Sequence, residues 1–455
     1  MSIIAGKTFS VVSLGCRTNH YEAEALASAL EQKGAVFLAG EPGPADIVLI
    51  LTCSVTSVAD AKTRKILRRA RRNSPSAAIA ACGCSAQELS EDSASLLGVD
   101  IVVGSRVKHK LPDALETWFE SRCGGDRGGK VIVMRDEALS ENHDWDSLSL
   151  DMPRIRTRAF IKVQDGCSRS CSYCIVPRAR GAESSRNPDE VREEIARTVE
   201  SGCPEAILTG IRLGGYRYGD IQLAGLIESV LSIPGLKRLR LGSLEPFAVN
   251  EDLLNVLSAS PVFCPHLHLP IQSGDDGVLL RMRRGYDAAA FLRTVESVRR
   301  YLGEDVHIST DLIVGFPHET DAAFERSMKV LEEAGFGRVH VFPFSPRDGT
   351  AAAGMEGRVA PSVIRQRVKA AVELSKNLLS MYASGCVGRE ESALIEETFG
   401  KIASGWTRRY VRACVSCRED ESKGGEVLFN PKSEFRGILL GDGVSPEDIA
   451  GFSYD

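Results

Sequence analysis

Segments typical of β-strands alternate with segments typical of helices along most of this chain, and this alternation constrains the fold more than any other feature. In the first quarter, strands are predicted at Phe9–Leu14, Ile47–Leu51, Ala77–Ala81 and Asp100–Val103. The intervening segments Glu22–Lys33 and Ala59–Arg72 are predicted helices. Such a pattern predicts an open α/β domain with a mostly parallel sheet covered by helices.

The central block repeats the same alternation six times. Its β-type runs are Phe160–Val163, Ala206–Thr209, Arg238–Leu241, His266–Pro270, His307–Ile313 and Val339–Phe342. Each run is separated from the next by a helix-sized segment, so the block predicts a partial (βα)6 barrel. The barrel is followed by a predicted helix at Val363–Tyr382.

The pattern changes after this helix, where only short β-type runs follow. They are Glu391–Glu396, Thr407–Val415, Glu426–Phe429 and Phe435–Leu440, and they predict a small all-β domain. A Gly- and acid-rich linker with one strand, Lys130–Met134, separates the first two blocks. We therefore expect an N-terminal domain over residues 7–120, a linker over 121–152, a barrel domain over 153–382 and a C-terminal domain over 383–445.

Composition narrows the class of protein. The chain has 455 residues, 43% of them hydrophobic, which is enough for more than one core. There is no signal peptide pattern and no run of about 18 apolar residues, so we expect a cytoplasmic protein without membrane contact. The net charge of −5 gives no global attraction to nucleic acid. The chain has 13 cysteines, and in a reducing compartment clustered cysteines indicate metal ligands rather than disulfides.

Three cysteines, Cys167, Cys171 and Cys174, directly follow the first β-type run of the central block. Three thiolates at this spacing can hold three irons of a [4Fe–4S] cube, and no fourth cysteine is near in sequence. The open iron can then chelate the amino and carboxylate groups of S-adenosylmethionine (SAM) and reduce its sulfonium. A zinc site is the alternative, although zinc sites usually show four ligands in paired motifs.

Cys16, Cys53 and Cys84 each lie at or just after the end of a predicted parallel strand. Parallel strands end at one edge of a sheet, so a second three-cysteine cluster site is predicted there. The alternative is that these cysteines are small core hydrophobes. Cys82 adds a thiol two residues from Cys84, and spacing alone does not choose between them.

The run from Arg156 to Gly181 resembles the radical SAM methylthiotransferases. The contexts Leu14–Asn19, Thr52–Thr56 and Gly83–Gln87 are similar to the N-terminal domain of that family. The resemblance implies an auxiliary [4Fe–4S] cluster on Cys16, Cys53 and Cys84, with Cys82 a strand residue. The chain departs from the family at Leu51, where the family usually has Asn. Such a change can alter hydrogen bonding beside a cluster.

Polar residues follow several of the barrel strands, on the side where barrel enzymes place their active sites. A capping or turn role is the alternative for any one of them. By resemblance to the family, the residues expected to contact SAM are Tyr173, Thr209, Gly210, Ser243, Glu245, Gln272, Asp311 and Ser345.

Two regions are candidates for RNA contact. Lys62–Arg72 carries seven positive charges and no acid, which suits phosphate binding through Lys65, Arg68 and Arg69, although a solvated helix face is the alternative. The C-terminal domain resembles the TRAM module, a small RNA-binding β-barrel. Its expected contacts are Arg408, Arg409 and Arg412, with Trp406 or Tyr410 stacking on a base. Packing in the core is the alternative for Tyr410. Cys414 and Cys417 form a lone CxxC pair without a partner pair and are left unassigned.

The run from Cys53 to Arg64 resembles the subfamily that acts on threonylcarbamoyladenosine in tRNA. By this resemblance, one SAM methylates a sulfur at the auxiliary cluster, and a second yields a radical that abstracts hydrogen from the second carbon of adenine. The implied partners are tRNA and an electron donor such as flavodoxin or ferredoxin, with the sulfur source open. The alternatives are isopentenyladenosine or a ribosomal-protein aspartate as substrate, and an RNA-binding protein stabilised by metal without chemistry.

Overall fold

A six-stranded parallel sheet forms the N-terminal domain of the computed structural model, which describes residues 2–39, 44–54, 56–123, 130–153, 157–399, 402–416 and 434–438. The strands are β1 (Thr8–Ser13), β2 (Val36–Phe37), β3 (Ile47–Thr52), β4 (Ala78–Gly83), β5 (Ile101–Val103) and β6 (Ile132–Met134), in the order β2-β1-β3-β4-β5-β6. The helices are α1 (Arg17–Gln32), α2 (Ser57–Asn73), α3 (Cys84–Glu88), α4 (Glu91–Leu97) and α5 (Leu111–Cys123). The predicted parallel α/β domain is confirmed.

The local sequence accounts for most of these elements. Strands β3 and β4 are buried at every position, as expected for near-continuous apolar strands covered on both faces. Helix α2 is capped by Thr56, whose hydroxyl accepts a hydrogen bond from the Ala59 N–H. Helix α1 begins at Arg17, five residues before the predicted start. Its first turn contains the polar residues Thr18 and Asn19, which are buried, so the apolar periodicity used for the prediction did not include them.

The barrel domain contains all six predicted strands. Its strands are β7 (Ala159–Asp165), β8 (Ser184–Ser185), β9 (Glu205–Gly210), β10 (Arg217–Tyr218), β11 (Ile221–Gln222), β12 (Arg238–Leu241), β13 (His266–His268), β14 (His307–Val314) and β15 (Arg338–Pro343). The helices are α6 (Val176–Arg180), α7 (Pro188–Glu200), α8 (Leu223–Leu231), α9 (Glu251–Ser258), α10 (Asp276–Met282), α11 (Ala288–Leu302), α12 (Asp321–Ala334) and α13 (Pro361–Cys386).

Parallel pairing runs around the barrel in two arcs. One arc has the order β12-β9-β7 and the other β13-β14-β15. Single bridges from Leu239 to Phe263 and from Ser243 to His268 join the arcs. The N-terminal domain packs against this barrel through α1, which contacts β7, and through a shared apolar core that includes Phe160 and Ile207. The ends of both sets of strands are thereby brought close together.

The C-terminal module is an antiparallel sheet. Its strands are β16 (Glu390–Phe399), β17 (Ile402–Thr407), β18 (Arg412–Ser416) and β19 (Glu434–Ile438), in the order β18-β17-β16-β19. The prediction of one strand over Thr407–Val415 was wrong, because a turn centred on Tyr410, with φ of +60°, separates β17 from β18. Tyrosine gives no sequence signal for that left-handed conformation. The predicted strand Glu426–Phe429, Cys417 and Leu440 lie outside the described residues.

Strand β6 comes from the predicted linker and pairs in parallel with β5, so this part of the linker extends the N-terminal sheet. Among the described helices, none has the length and apolar character needed to cross a lipid bilayer.

Candidate active site

The first cysteine set lies in the loop that joins β7 to α6. It consists of Cys167, Cys171 and Cys174. The loop begins at Gly166, whose φ is +72° and where an added Cβ would lie 1.9 Å from the carbonyl oxygen of Ala182. Only glycine fits this position without a shift of the backbone. The Cys167 N–H donates to the Gly181 carbonyl at 3.0 Å, so the loop folds back on the segment after α6.

The thiols of this set lie within electrostatic reach of one another. Burial raises the pKa of Cys167 to about 11 and that of Cys174 to about 12, with negative charge on Cys171 adding to both effects. Without metal these two groups are therefore neutral thiols. Binding of iron would displace their protons, since a metal ion is coordinated by thiolate.

The second cysteine set occupies one edge of the N-terminal sheet. It consists of Cys16, Cys53 and Cys84. These residues follow β1, β3 and β4, which are neighbours in the sheet. A Cβ on Gly15 would lie 2.6 Å from the Cys53 Sγ, so Cys53 packs directly beside the residue that precedes Cys16. Burial raises the pKa of Cys84, and the charge of Cys16 contributes to the same shift. The predicted convergence at the sheet edge is therefore present in the structure.

Cys82 has different surroundings. It is fully buried in β4, and the charged groups that act on its thiol are Lys108, Glu22 and Asp146. Burial, the largest effect, raises the pKa of this thiol. These surroundings agree with a strand residue, and they leave Cys84 as the better candidate ligand. The side chain of Leu51 is fully buried in the apolar core.

A [4Fe–4S] cube fits the donor chemistry of both sets. Each set offers three soft sulfur ligands, the donors that iron–sulfur clusters use. Within the described ranges, no three His, Cys, Asp or Glu side chains converge on the position of a single metal ion. A cube spreads its ligands over separate irons and does not require that convergence. The ligand assignments themselves stay a prediction.

One arginine connects the two cysteine sets. Arg180, the last residue of α6, donates from Nε to the Cys84 Sγ at 3.1 Å. Its guanidinium also contacts Asn19 and Glu22 of α1. The helix that follows the first set thus makes direct contact with the second.

The residues predicted to contact SAM are distributed around the barrel mouth. Thr209 and Gly210 end β9, and Ser345 follows β15. Ser243 and Glu245 follow β12, and Glu245 is paired with Arg212 at 3.2 Å. The predicted contact Tyr173 lies in the loop of the first cysteine set, with its hydroxyl 3.4 Å from the Arg284 Nη1.

Gln272 and Asp311, two further predicted SAM contacts, do not lie directly at the ends of barrel strands. Gln272 adopts φ of +68° and its N–H donates to the Asp311 carbonyl at 2.8 Å. Asp311 lies in the middle of β14 and its carboxylate is 3.1 Å from the His268 Nε2. Burial alone would raise the pKa of Asp311, but the neighbouring His268 lowers it. As with the other residues of this group, contact with SAM stays a prediction.

The basic strip of α2 is exposed along most of its length. Lys65, Arg68 and Arg69 are all on the solvent side of the helix. Arg71, one of the seven positive charges, is turned inward, where it pairs with Asp100 and donates to the Gly98 carbonyl at 3.0 Å. Six of the seven positive charges of the strip therefore face solvent, and Arg71 stabilises the fold.

The three C-terminal arginines are engaged within the protein. Arg408 donates to the carbonyls of Pro261, Phe263 and Lys237 in the barrel domain. Arg409 is paired with Asp305, at 2.6 Å, and with Glu391. Arg412 is paired with Glu397 at 2.5 Å. Phosphate contact by these side chains would require the present partners to be exchanged, so their RNA role stays a prediction.

Trp406 and Tyr410 pack against each other and against the barrel. Trp406 is 2% exposed, and its ring stacks on Tyr410 with centroids 4.8 Å apart. Tyr410 in turn stacks on His266 at 4.6 Å, and its hydroxyl accepts a hydrogen bond from Arg17 at 3.3 Å. In this arrangement both rings serve the packing between domains rather than the stacking of a base.

A cleft of about 660 Å³ lies between α2 and the barrel, beside both cysteine sets. Its lining includes Ser54 and Ser85, next to Cys53 and Cys84, and Ile175, next to Cys174. Four arginines line it as well: Arg64, Arg68, Arg178 and Arg347. Three acids, Asp60, Glu88 and Asp348, also line it, and Arg178 and Arg347 are paired with Glu88 and Asp60. The cleft therefore carries one more arginine than carboxylate, and it is adjacent to the predicted chemistry.

Comparison with known proteins agrees with this geometry. Residues 161–331 match the model of the Radical SAM superfamily, and residues 8–104 match that of Uncharacterized protein family UPF0004. The threonylcarbamoyladenosine tRNA methylthiotransferase MtaB of Thermotoga maritima is 36% identical over 409 residues, which cover 89% of this chain and 91% of that relative. The enzyme of the same name from Bacillus subtilis is 35% identical, with 91% of each chain covered.

The chain belongs to the radical SAM methylthiotransferases. It is accordingly an enzyme whose cofactors are SAM and [4Fe–4S] clusters. Another member, the tRNA-2-methylthio-N(6)-dimethylallyladenosine synthase of Polynucleobacter necessarius, is 32% identical, with 86% of this chain and 87% of the relative covered. The radical SAM methyltransferase TsrM of Kitasatospora setae has a similar fold, with a TM-score of 0.55, 14% identity and coverage of 76% and 77% of the two chains.

Sequence reasoning missed several residues of this methylthiotransferase site. Arg180 contacts Cys84, Asn19 and Glu22 contact Arg180, and Arg347 lies in the cleft. Arg180 stands inside the family-like run after Cys174, which was its only sequence signal. Their partners are far away in the chain, so no local pattern joins them.

Proposed function

We propose that this methylthiotransferase acts on tRNA and converts threonylcarbamoyladenosine beside the anticodon to its 2-methylthio derivative. The names of the Thermotoga maritima and Bacillus subtilis relatives support this substrate. Relatives named for dimethylallyladenosine are only a few per cent less identical, so identity alone does not decide the substrate. The observation that carries the proposal is the arginine-lined cleft beside the cysteine sets.

The two modified adenosines differ in charge. A threonylcarbamoyl group carries a carboxylate and a hydroxyl, whereas a dimethylallyl group is apolar. The buried Nε–H of Arg347 has no hydrogen-bond partner within the part of the chain that the structure describes, although its Nη2 pairs with Asp60. A carboxylate in the cleft would supply an acceptor for such a donor. An apolar group would leave the buried Arg347 Nε–H without an acceptor, and an unpaired buried donor costs about 1–3 kcal/mol, which lowers the rate by about 10- to 100-fold.

The chain's own residues have the following proposed roles. The two cysteine sets hold the clusters, and the polar residues at the barrel mouth orient SAM. When bound, these cofactors supply the methyl group, the sulfur site and the radical that activates the adenine carbon. The exposed strip of α2, with Lys65, Arg68 and Arg69, contacts phosphates of the anticodon arm.

The proposed domain boundaries are those expected from the sequence, with residues 383–445 as a TRAM-like module that joins the RNA contact. We also propose that flavodoxin or ferredoxin supplies electrons and that the enzyme works in the cytoplasm.

The substrate proposal is tested with three tRNAs of one sequence that carry threonylcarbamoyladenosine, isopentenyladenosine or unmodified adenosine. Each is incubated anaerobically with reconstituted enzyme, SAM and a reductant, and the nucleosides are analysed by mass spectrometry. Methylthiolation of the first substrate only is expected. Efficient turnover of the isopentenyl tRNA would contradict the substrate proposal and leave the family assignment intact. Modification of a ribosomal protein alone would show that the substrate is a protein and not a tRNA.

The cleft is tested separately with the variant Arg347→Gln, because the buried Nε–H of Arg347 is the donor proposed for the carboxylate and Arg347 lies outside the α2 strip proposed for phosphate contact. Loss of charge-assisted hydrogen bonds to a carboxylate should lower kcat/KM on the threonylcarbamoyl tRNA by about 10- to 100-fold, which corresponds to about 1.5–3 kcal/mol. Preference over unmodified tRNA should fall by the same factor. If turnover of both tRNAs drops equally, Arg347 does not recognise the carboxylate. Arg300→Gln, an exposed helical arginine on α11, is the matched control.

A further inference from the structure

Arg180, the last residue of the helix that follows the first cysteine set, contacts the second set through hydrogen bonds that use its whole guanidinium group. Its side chain is fully buried. Nε donates to the Cys84 Sγ at 3.1 Å, and Nη1 donates to Glu22 at 2.5 Å and to Asp165 at 3.4 Å. Nη2 donates to Asn19 at 2.6 Å and to Glu22 at 3.1 Å. All five N–H groups of the guanidinium are therefore used, and one is directed at a predicted cluster ligand.

Asn19 extends these contacts to the strand ends that precede the other two cysteines of the second set. Its Nδ2 donates to the Leu14 carbonyl at 2.6 Å and to the Thr52 carbonyl at 2.9 Å. These carbonyls lie two residues before Cys16 and one residue before Cys53. Since its Oδ1 accepts from Arg180, a single amide joins the arginine to both strand ends. Arg180 and Asn19 together contact the Cys84 sulfur and the backbone that leads into Cys16 and Cys53.

The charges around Arg180 hold it in place. Lys162 lies 2.8 Å from Glu22 and 2.6 Å from Asp165, and Lys108 lies 3.2 Å from Glu22. The N-terminal domain contributes Glu22 and Lys108, and the barrel contributes Lys162 and Asp165. All four side chains are at most 1% exposed. In such a low-dielectric site the guanidinium charge acts on its neighbours with little screening by water.

We propose that Arg180 is a positioning residue for the auxiliary cluster, and that its hydrogen bond to the Cys84 sulfur raises the reduction potential of that cluster. A cationic donor withdraws electron density from a thiolate ligand and stabilises the reduced state, and hydrogen bonds to sulfur are among the factors that set cluster potentials. Because Arg180 ends the helix that follows the first cysteine set, it also joins the auxiliary site to the SAM-binding loop. This proposal rests on the family's cofactors and is independent of the tRNA substrate.

The test isolates the auxiliary cluster in a full-length protein with Cys167, Cys171 and Cys174 changed to Ala. This background also removes the Cys171 thiol, which the Arg284 Nη1 contacts at 3.4 Å. Redox titration followed by EPR then measures the midpoint potential, and iron analysis measures occupancy. Arg180→Gln should favour the oxidised state by about tenfold, which is a negative shift of about 59 mV for a one-electron couple.

Arg180→Lys should also lower the potential, because an ammonium group cannot reproduce the five-donor fork. Arg186→Gln is the matched control, since Arg186 is a buried arginine of the barrel domain that pairs with Glu194 at 2.9 Å. It should leave the potential unchanged. An Arg180→Gln protein with a full iron complement and the parent potential would overturn the proposal.

A second measurement does not depend on the folding of the Arg180 variants. The same cysteine background is prepared with ¹⁵N-labelled arginine, and pulsed EPR of the reduced cluster is recorded. Hyperfine coupling to ¹⁵N is expected, as for a nitrogen in hydrogen-bond contact with a ligand sulfur. Absence of that coupling would overturn the proposal even if the variants failed to retain iron.

Discussion

The docking of the C-terminal module depends on one buried carboxylate, and Glu205→Gln tests this dependence. The Glu205 Oε1 accepts from the Arg240 Nε at 2.9 Å, and Oε2 forms an ion pair with the Arg238 Nε at 2.7 Å without the alignment of a hydrogen bond. The same guanidinium groups donate to the carbonyls of Trp406, at 2.9 Å, and Thr407, at 2.6 Å. Glu205 therefore orients both arginines that bind the edge of the module.

The expected magnitude follows from the burial of all three side chains, which are at most 1% exposed. Glutamine keeps the shape of Glu205 but removes the charge that two guanidinium groups share. Breaking a buried ion pair costs about 3–5 kcal/mol, because a charge is left uncompensated. The amide oxygen still accepts from one arginine, so we expect the lower end, about 3 kcal/mol. This corresponds to about a 100-fold increase in opening of the module.

Native-state hydrogen exchange measures this opening directly. Protection of peptides covering β16–β18 should fall by about 100-fold, whereas peptides covering β3 and β4 should exchange at the parent rate. The control is Glu333→Gln, an exposed glutamate on α12, which should alter neither region. Unchanged protection of β16–β18 in the Glu205 variant would show that the carboxylate does not hold the module in place.

Three further predictions concern the metal, the RNA and the pH dependence of stability. Anaerobically reconstituted protein should contain about eight irons per chain, four for each cube, and changing either cysteine set to Ala should halve that number. Stoichiometric zinc without iron would contradict the cluster assignment. Reversal of Lys65, Arg68 and Arg69 to Glu should weaken tRNA binding and reduce the slope of its salt dependence by about 0.7–0.9 log units for each phosphate that the strip no longer neutralises, with Arg300→Glu as control. Although burial alone would raise it, Arg180, Lys108 and Lys162 lower the pKa of Glu22 from about 4.5 to about 2. Because this pKa is lowered by folding, Glu22 contributes about 3 kcal/mol above pH 4.5 and loses it as the pH falls toward 2, so Glu22→Gln should flatten the acid side of the stability profile measured by urea unfolding.

The sequence predicted the backbone architecture well where the signal was local. Every strand predicted for the N-terminal sheet and the barrel is present. Buried parallel strands have nearly continuous apolar sequences, which can be recognised without tertiary information. The wrong prediction of a single strand over Thr407–Val415 shows where a local signal is insufficient. All of its residues are compatible with a strand, and the turn depends on Tyr410 taking a left-handed conformation against His266 and Trp406. That contact forms only after the module meets the barrel.

The candidate site shows a similar division. The spacing of Cys167, Cys171 and Cys174 lies within one loop, so their proximity follows from the sequence alone. The second set required one further step, the rule that neighbouring parallel strands end together. The arginines were harder to interpret, because exposure and partners decide their function. Lys65 and Arg68 are exposed as expected, but Arg408 is engaged with barrel carbonyls.

The sequence by itself determined the family, the α/β architecture and the cysteines available for each cluster, since these depend on residue type and short-range spacing. Only the tertiary structure decided which charged groups meet. Arg180 reaches Cys84 across 96 residues of chain, and Glu205 reaches Arg240 across 35. The first contact exists because two domains share a buried surface, and the second because β9 and β12 are neighbouring strands of the barrel. The strength of both contacts comes from the exclusion of water. The hydrophobic periodicity of the sequence does not indicate which buried hydrogen-bond donor will contact which acceptor after the domains have packed.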